Sequence, residues 1–249
     1  MTHPTATRDG QPVGFGTQTR EALRRSVGTR ARTILLAVTL LLGLLVAVAV
    51  AASGAPEDRT LSGVSLPAQS VMSVLVPLFG VLLAHDLPRG SGRARLAPTL
   101  LGAVLLAAGI GLVGLLCSVA AVTLVAPSDG DADPWRHAGT VAVGSVLVQV
   151  LAQLVGTGFG LLVRSRAVAF LGTIVLPLGC WALFGAVDVL RPAQAFTPFD
   201  GVGNLLSGEM SAVRWAQWLG TLLIWGVGLN ALGAARRDRS DRAAVDHPH

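Results

Sequence analysis

The sequence has no lysine and no tyrosine, and it has few charged residues of any kind. Charged residues make up 13% of the 249 positions, against roughly a quarter in ordinary soluble domains. Hydrophobic residues make up 52%, and the mean hydropathy is +0.63. This balance excludes an ordinary soluble domain and predicts an integral membrane protein.

The missing lysine limits the chemistry that the chain can carry. A P-loop ATPase needs the lysine of the GxxxxGK[ST] motif to reach the nucleotide phosphates, so we expect this chain not to bind and hydrolyse ATP in that way. The stretch "GTGFG" at 156–160 looks like a nucleotide loop but lies inside an apolar run. Gly156 and Gly160 are instead spaced for the close packing of two helices.

Other catalytic patterns are equally scarce. There are two cysteines, Cys117 and Cys180, with no CxxC pair, and there is no HExxH motif. The sequence therefore predicts no catalytic residue, no metal site and no bound cofactor. The arginines are spread over several segments without interleaved aromatic residues, so we also expect no nucleic-acid partner and favour membrane lipid headgroups.

Six apolar segments are long enough to cross about 30 Å of hydrocarbon, which takes about 20 residues. Their length and lack of internal charge disfavour the helices of a soluble core and the short strands of a barrel. The polar lead-in disfavours a cleaved signal peptide. We therefore predict an all-α protein with six transmembrane helices near 34–52, 64–84, 99–126, 138–163, 167–187 and 214–235. The expected domains are a cytoplasmic tail over 1–33, a transmembrane domain over 34–235 and a cytoplasmic tail over 236–249.

The distribution of arginine predicts how the chain is oriented. Positive residues near helix ends resist translocation and stay in the cytoplasm. Fifteen of the 19 basic residues fall on one side if both termini are cytoplasmic, and the four exceptions are Arg59, Arg136, Arg191 and Arg214. We therefore predict a multi-pass protein of the cytoplasmic membrane with both termini inside.

Two segments outside the spans are amphipathic. Before the first span, Leu23 and Val27 fall close to one helical face, whereas Arg20 and Arg24 lie mostly elsewhere, which predicts a short interfacial helix. A disordered basic lead-in is the alternative, because Gly28 weakens a helix there. Between the fifth and sixth spans, apolar turns predict an outer hairpin that lies on or dips into the membrane; they are Phe196, Phe199, Val202, Leu205 and Leu206.

The polar residues inside the spans are uncharged. Gln149, Gln153 and Thr157 recur at every fourth position of the fourth span and share one face. Together with Asn230 of the sixth span, they have two interpretations: a lining for a substrate path, or hydrogen bonds between packed helices.

The order of these parts resembles an ABC type-2 transporter permease. Three stretches carry the resemblance: "LLAHDLPRGSGRARLAP" (82–98) is similar to the family's coupling segment, "GTGFGLLVRSRAVAFLGTIVLPL" (156–178) to its glycine-rich fourth helix and basic turn, and 198–241 to its closing helix and Arg-Asp tail. The resemblance implies a permease domain that exports a substrate, paired with a second copy or a sister permease. It also implies separate ATPase subunits that bind ATP and Mg²⁺.

The resemblance assigns a role to the charged stretch after the second span. Asp86, Arg89, Arg93 and Arg95 would contact the ATPase subunit in the coupling loop. The alternative is that these arginines only set the topology, as the positive-inside rule requires. Two other functions stay open for the whole chain: a membrane anchor or assembly subunit that transports nothing, and a membrane enzyme acting on lipids.

Overall fold

The computed structural model describes residues 14–55, 58–87, 92–124 and 133–246, apart from the side chains of 92–95 and 240–246. The described residues form helices and no strands, and six of these helices are long and apolar enough to cross a membrane. The prediction of an all-α, multi-pass fold with six such helices is confirmed.

The helices follow one another with short connections. The first, α1 (Phe15–Val27), precedes four long helices: α2 (Arg30–Ser53), α3 (Leu61–His85), α4 (Gly92–Leu124) and α5 (Ala138–Leu162). Then follow α6 (Arg166–Ala186), α7 (Arg191–Gln194) and α8 (Pro198–Leu206). The last span begins as α9 (Ala212–Thr221), passes through a π-helical segment (Leu222–Gly228) and continues as α10 (Leu229–Asp246).

Several spans begin before their apolar run because a hydroxyl caps them. The side chains of Thr29, Thr60 and Ser165 accept hydrogen bonds from backbone amides at the start of α2, α3 and α6. Such a cap satisfies one of the amides that a helix start leaves without a partner. The first two of these helices therefore start three to four residues before the positions that hydropathy alone predicts.

The centre of the bundle is the pair α3 and α5, which run in the same direction. A Cβ built on Gly156 would lie 2.1 Å from the Pro77 carbonyl oxygen, and one on Gly160 would lie 2.8 Å from Ala84 Cβ. On the facing helix, a Cβ on Gly80 would lie 2.5 Å from the Gln153 carbonyl oxygen. The backbones approach so closely that only glycine fits at these positions, which confirms the predicted packing role of Gly156 and Gly160.

The lead-in helix α1 packs against the bundle. Thr19, Ala22 and Ser26 are buried, and a Cβ on Gly102 of α4 would lie 3.0 Å from Ala22 Cβ. Leu23 and Val27 are half-buried, whereas Arg20 and Arg24 are exposed. The face that the sequence predicts is thus present on α1. The most buried residues, however, are Ala22 and Ser26, each one position before Leu23 and Val27. Their small side chains permit a close approach to Gly102.

The hairpin between α6 and α9 turns back into the bundle. Leu205 and Leu206 of α8 are fully buried, and a Cβ on Gly144 of α5 would lie 3.0 Å from Leu205 Cγ. At the turn, Trp225 Nε1 donates to the Phe196 carbonyl at 3.1 Å, and Thr197 Oγ1 donates to the Gln194 carbonyl at 2.7 Å. Irregular backbone is tolerated at membrane depth only when its polar groups are satisfied in this way.

The bundle has two ends, which we call the terminal face and the hairpin face. The terminal face comprises residues 25–32, 85–87, 162–166 and 236–239, which are joined by the contacts described below. The hairpin face comprises the opposite ends, where Leu61 N donates to the Pro134 carbonyl at 2.9 Å and where the connection from α6 to α9 lies. Each pair of successive spans returns the chain to the same face, as an even number of spans requires.

Candidate functional site at the terminal face

A buried arginine lies at the start of α2. Arg32 is only 7% exposed, and its Nη2 lies 2.5 Å from Oδ2 of Asp86 at the end of α3. Its Nη1 donates to the backbone carbonyl of Arg25 in the last turn of α1. The last carbonyls of a helix have no partner within the helix, and a guanidinium at a membrane boundary needs partners. Arg32 therefore joins α1, α2 and α3 at one point.

Three further groups contact the end of α3. His85 Nε2 lies 3.1 Å from the Arg164 carbonyl oxygen between α5 and α6, and Arg166 Nη2 lies 3.8 Å from Asp86 Oδ1. Arg237 Nη2 of α10 donates to the Leu87 carbonyl at 3.1 Å. We call His85, Asp86 and Leu87 the α3 anchor, because groups from four other parts of the chain meet there.

The two ion pairs of Asp86 differ in strength. The Arg32 side chain is 9% exposed, and its pair is short; the Arg166 side chain is 61% exposed, and its pair is long. Water screens an exposed pair, which is worth about 0–1 kcal/mol, while breaking a buried pair is costly. Both arginines also balance the negative charge at the C-terminal end of the α3 dipole. Arg32 is therefore the main partner of Asp86.

The predicted coupling residues are only partly within the description. Asp86 has a side chain that is 31% exposed and is held by Arg32 within the chain. Arg89 lies outside the described residues; Arg93 and Arg95 lie in the first turn of α4, and their side chains are also outside the description. Their contact with a partner stays a prediction.

Sequence reasoning missed Arg32. It counted this residue with the other basic residues of the lead-in as a determinant of topology. No local pattern separates Arg32 from Arg30, because its carboxylate partner lies 54 positions away.

The polar residues of α5 contact the neighbouring spans. Gln149 Nε2 donates to Gln69 Oε1 at 2.8 Å and to the Gln69 carbonyl at 3.0 Å, and Gln69 Nε2 donates to the Gly111 carbonyl of α4 at 3.1 Å. Gln69 and Gln149 are fully buried. Gln69 was another residue that sequence reasoning missed, although a glutamine within an apolar run is the available signal.

Gln153 and Thr157 of α5 also form hydrogen bonds with neighbouring helices. In the amide orientation that satisfies both groups, Gln153 Nε2 donates to the Val76 carbonyl at 2.8 Å, and its Oε1 accepts from the Gly80 amide at 3.2 Å. Thr157 Oγ1 lies 2.8 Å from Asn230 Oδ1. These contacts tie α5 to α3 and to α10.

Asn230 lies just after the π-helical segment. Its Nδ2 donates to the Gly226 carbonyl at 2.7 Å and to the Leu154 carbonyl of α5 at 2.8 Å. The wider π turn changes the backbone bonding there, and the side chain supplies a donor to Gly226. The four polar residues thus hold helices together, and a role for them in a substrate path stays a prediction.

Other ligand-binding groups are scarce in the described parts of the chain. No cluster of three or more His, Cys, Asp and Glu residues that could hold a metal occurs among them. Cys117 and Cys180 are half-buried and form no disulfide.

Neither the comparison with protein-family models nor the comparison with curated proteins gives a match for this chain.

Proposed function

We propose that this chain is the permease subunit of an ABC type-2 transporter, an exporter of the cytoplasmic membrane. ATP and Mg²⁺ would be bound by a separate ATPase subunit, and a second copy of the chain or a sister permease would complete the transporter. The observation that carries the proposal is the α3 anchor, where one short segment contacts the first turns of α2 and α6 and Arg237 of α10.

The position of the anchor supports a coupling role. It directly precedes the segment with Arg89, Arg93 and Arg95. A partner that moved this segment would displace Asp86, and Arg32 would carry the displacement to α2. The expected partner surface is acidic, because guanidinium groups grip carboxylates with two parallel hydrogen bonds.

The test is a charge-preserving change. In the triple variant Arg89→Lys, Arg93→Lys and Arg95→Lys, every positive charge that determines insertion is kept, but the planar fork is lost. The chain would be co-expressed with a P-loop ATPase encoded beside its gene, and ATP hydrolysis would be measured in nanodiscs. We expect normal insertion, weaker association and much lower stimulation of hydrolysis.

A matched control distinguishes the effect of replacing the loop arginines from the effect of replacing arginines elsewhere in the chain. Arg20→Lys and Arg24→Lys change two exposed residues of α1 and should leave stimulation unchanged. If the triple variant stimulates hydrolysis like the wild type, its arginines only determine topology. If the wild type neither binds nor stimulates such an ATPase, the chain is an anchor or an enzyme and the proposal is wrong.

A further inference from the structure

Three buried polar atoms on α3 and α5 have no hydrogen-bond partner in the described parts of the chain. They are Ser65 Oγ, Ser145 Oγ and Gln149 Oε1, and all three residues are 0% exposed. Two other buried serines, Ser26 and Ser118, donate to the carbonyl four residues earlier at 2.9 and 3.1 Å. Because an unpaired buried polar atom raises the free energy of the folded state, the closed packing around these three atoms is unfavourable.

The spacing of the residues places the two unpaired hydroxyls side by side. The helices α3 and α5 run in the same direction, and Gln69 is bonded to Gln149, 80 positions later. Ser65 and Ser145 are also 80 positions apart, and each lies about one helical turn before its glutamine. The serines therefore lie at one level of the contact, next to the paired glutamines. We call Ser65, Ser145 and Gln149 the polar layer.

One apolar layer separates the polar layer from the hairpin face. Leu61 of α3, Leu115 of α4 and Val141 of α5 form a single buried cluster. Leu61 and Val141 each lie four residues before the serine of their helix, which is about 6 Å along the axis. Because α3 begins at Leu61 and α5 begins three residues before Val141, this apolar layer lies at the hairpin end of both helices.

Two other routes to the polar layer are closed by backbone contact. Toward the terminal face, a Cβ built on Gly156 would lie 2.1 Å from the Pro77 carbonyl oxygen. Toward α4, a Cβ built on Gly111 would lie 2.5 Å from the Ser145 carbonyl oxygen. Helix backbones this close can separate only if the helices themselves move, whereas the apolar layer is closed by three side chains.

We infer that the apolar layer is a gate that opens to admit water from the hairpin face to the polar layer. Opening exposes Leu61, Leu115 and Val141, which is unfavourable. It also gives three unpaired polar atoms the hydrogen bonds that they lack in the closed state, and this gain offsets part of the cost. The glycine contact keeps α3 and α5 together nearer the terminal face. The gate does not depend on whether the chain is a permease.

Cysteine accessibility tests the gate in the purified, detergent-solubilised protein. In a background with Cys117→Ala and Cys180→Ala, Ser145→Cys places a thiol in the polar layer. Ser118→Cys is the matched control, because Ser118 is also 0% exposed but its hydroxyl is paired. The probe is 2-aminoethyl methanethiosulfonate, a small charged reagent, and intact-mass spectrometry follows the reaction. We expect Ser145→Cys to react about tenfold faster than Ser118→Cys, since unpaired polar atoms favour opening by such a factor.

Two further changes distinguish opening of the gate from loosening of the whole bundle. Val141→Ala thins the apolar layer and should raise the reaction rate of Ser145→Cys while leaving that of Ser118→Cys unchanged. Ser65→Ala removes one unpaired hydroxyl, so it should lower the reaction rate of Ser145→Cys and leave the unfolding temperature unchanged or higher. Ser118→Ala removes a paired hydroxyl and should lower the unfolding temperature.

Other outcomes overturn the inference. Equal rates for Ser145→Cys and Ser118→Cys, or no reaction of Ser145→Cys, would mean that no gate opens. If Val141→Ala accelerates both cysteines equally, the bundle loosens as a whole. If Ser65→Ala lowers the unfolding temperature as much as Ser118→Ala does, the Ser65 hydroxyl is paired and does not favour opening. If Ser145→Cys does not fold, Ser65→Cys places the thiol in the same layer, and the same comparisons apply.

Discussion

At the scale of single residues, Arg32 is a buried charge in the terminal face and therefore needs partners within the protein. A buried guanidinium is tolerated when carboxylate and carbonyl partners replace its water. Asp86 and the Arg25 carbonyl supply those partners. Removing one member of such a set leaves the other buried without compensation.

The two arginines that contact Asp86 make a matched pair of mutations. We expect Arg32→Gln to lower the free energy of unfolding by about 3 kcal/mol, because it breaks a buried pair. Arg166→Gln should lower it by at most about 0.5 kcal/mol, because that pair is exposed. Thermal unfolding of the purified variants in detergent measures both. Equal effects would show that Arg32 and Asp86 do not form the stronger pair.

Gln149 gives a second residue-scale prediction. Gln149→Leu removes both hydrogen bonds to Gln69 and should lower stability by about 1 kcal/mol, as for other hydrogen bonds between membrane helices. Gln217→Leu changes a half-buried glutamine of α9 and serves as the control. If the Gln149 variant is as stable as the control while transport is lost, Gln149 lines a path rather than packing the helices.

At the scale of elements, the contact between α3 and α5 depends on glycine. Gly156→Ala places a methyl group 2.1 Å from the Pro77 carbonyl oxygen, so the helices must separate. We expect a loss of about 3 kcal/mol, at the upper end of overpacking effects, measured by thermal unfolding. Gly109→Ala on α4, where a Cβ meets open space, should be neutral or slightly stabilising. A tolerated Gly156→Ala would mean that the two helices lie farther apart.

The helices also show which parts of the fold could be predicted from the sequence. The number and positions of the spans follow from apolar runs, because each span must cover the same thickness of hydrocarbon. The place of α1 against Gly102 and the burial of Leu205 and Leu206 could not be predicted. Amphipathicity shows that a face is covered, but a protein neighbour and a lipid surface cover it equally well.

The candidate site was predictable to a smaller extent. The position of Asp86 beside an arginine segment is visible locally, and the face shared by Gln149 and Gln153 follows from helical spacing. Their partners are not visible, because Gln69 lies 80 positions from Gln149 and Asp86 lies 54 positions from Arg32. Only the tertiary fold brings such pairs together.

At the scale of the whole molecule, the two faces predict opposite chemical accessibility. In a background with Cys117→Ala and Cys180→Ala, Glu209→Cys lies on the hairpin face and Arg239→Cys on the terminal face, both at exposed positions. An impermeant thiol reagent should label the first in intact cells and the second only after permeabilisation, because the positive-inside rule predicts that the arginine-rich terminal face is cytoplasmic. The reverse pattern would overturn the orientation.

The pairing of α3 with α5 imposes an order on biosynthesis. Gln69 leaves the ribosome 80 residues before Gln149, the partner for its side-chain carbonyl. During that interval a glutamine amide must wait at the insertion machinery or enter lipid with that oxygen unpaired, which is unfavourable. In a chain that stops before α5, the side-chain oxygen of Gln69 therefore has no Gln149 amide to pair with, and synthesis of α5 supplies that donor.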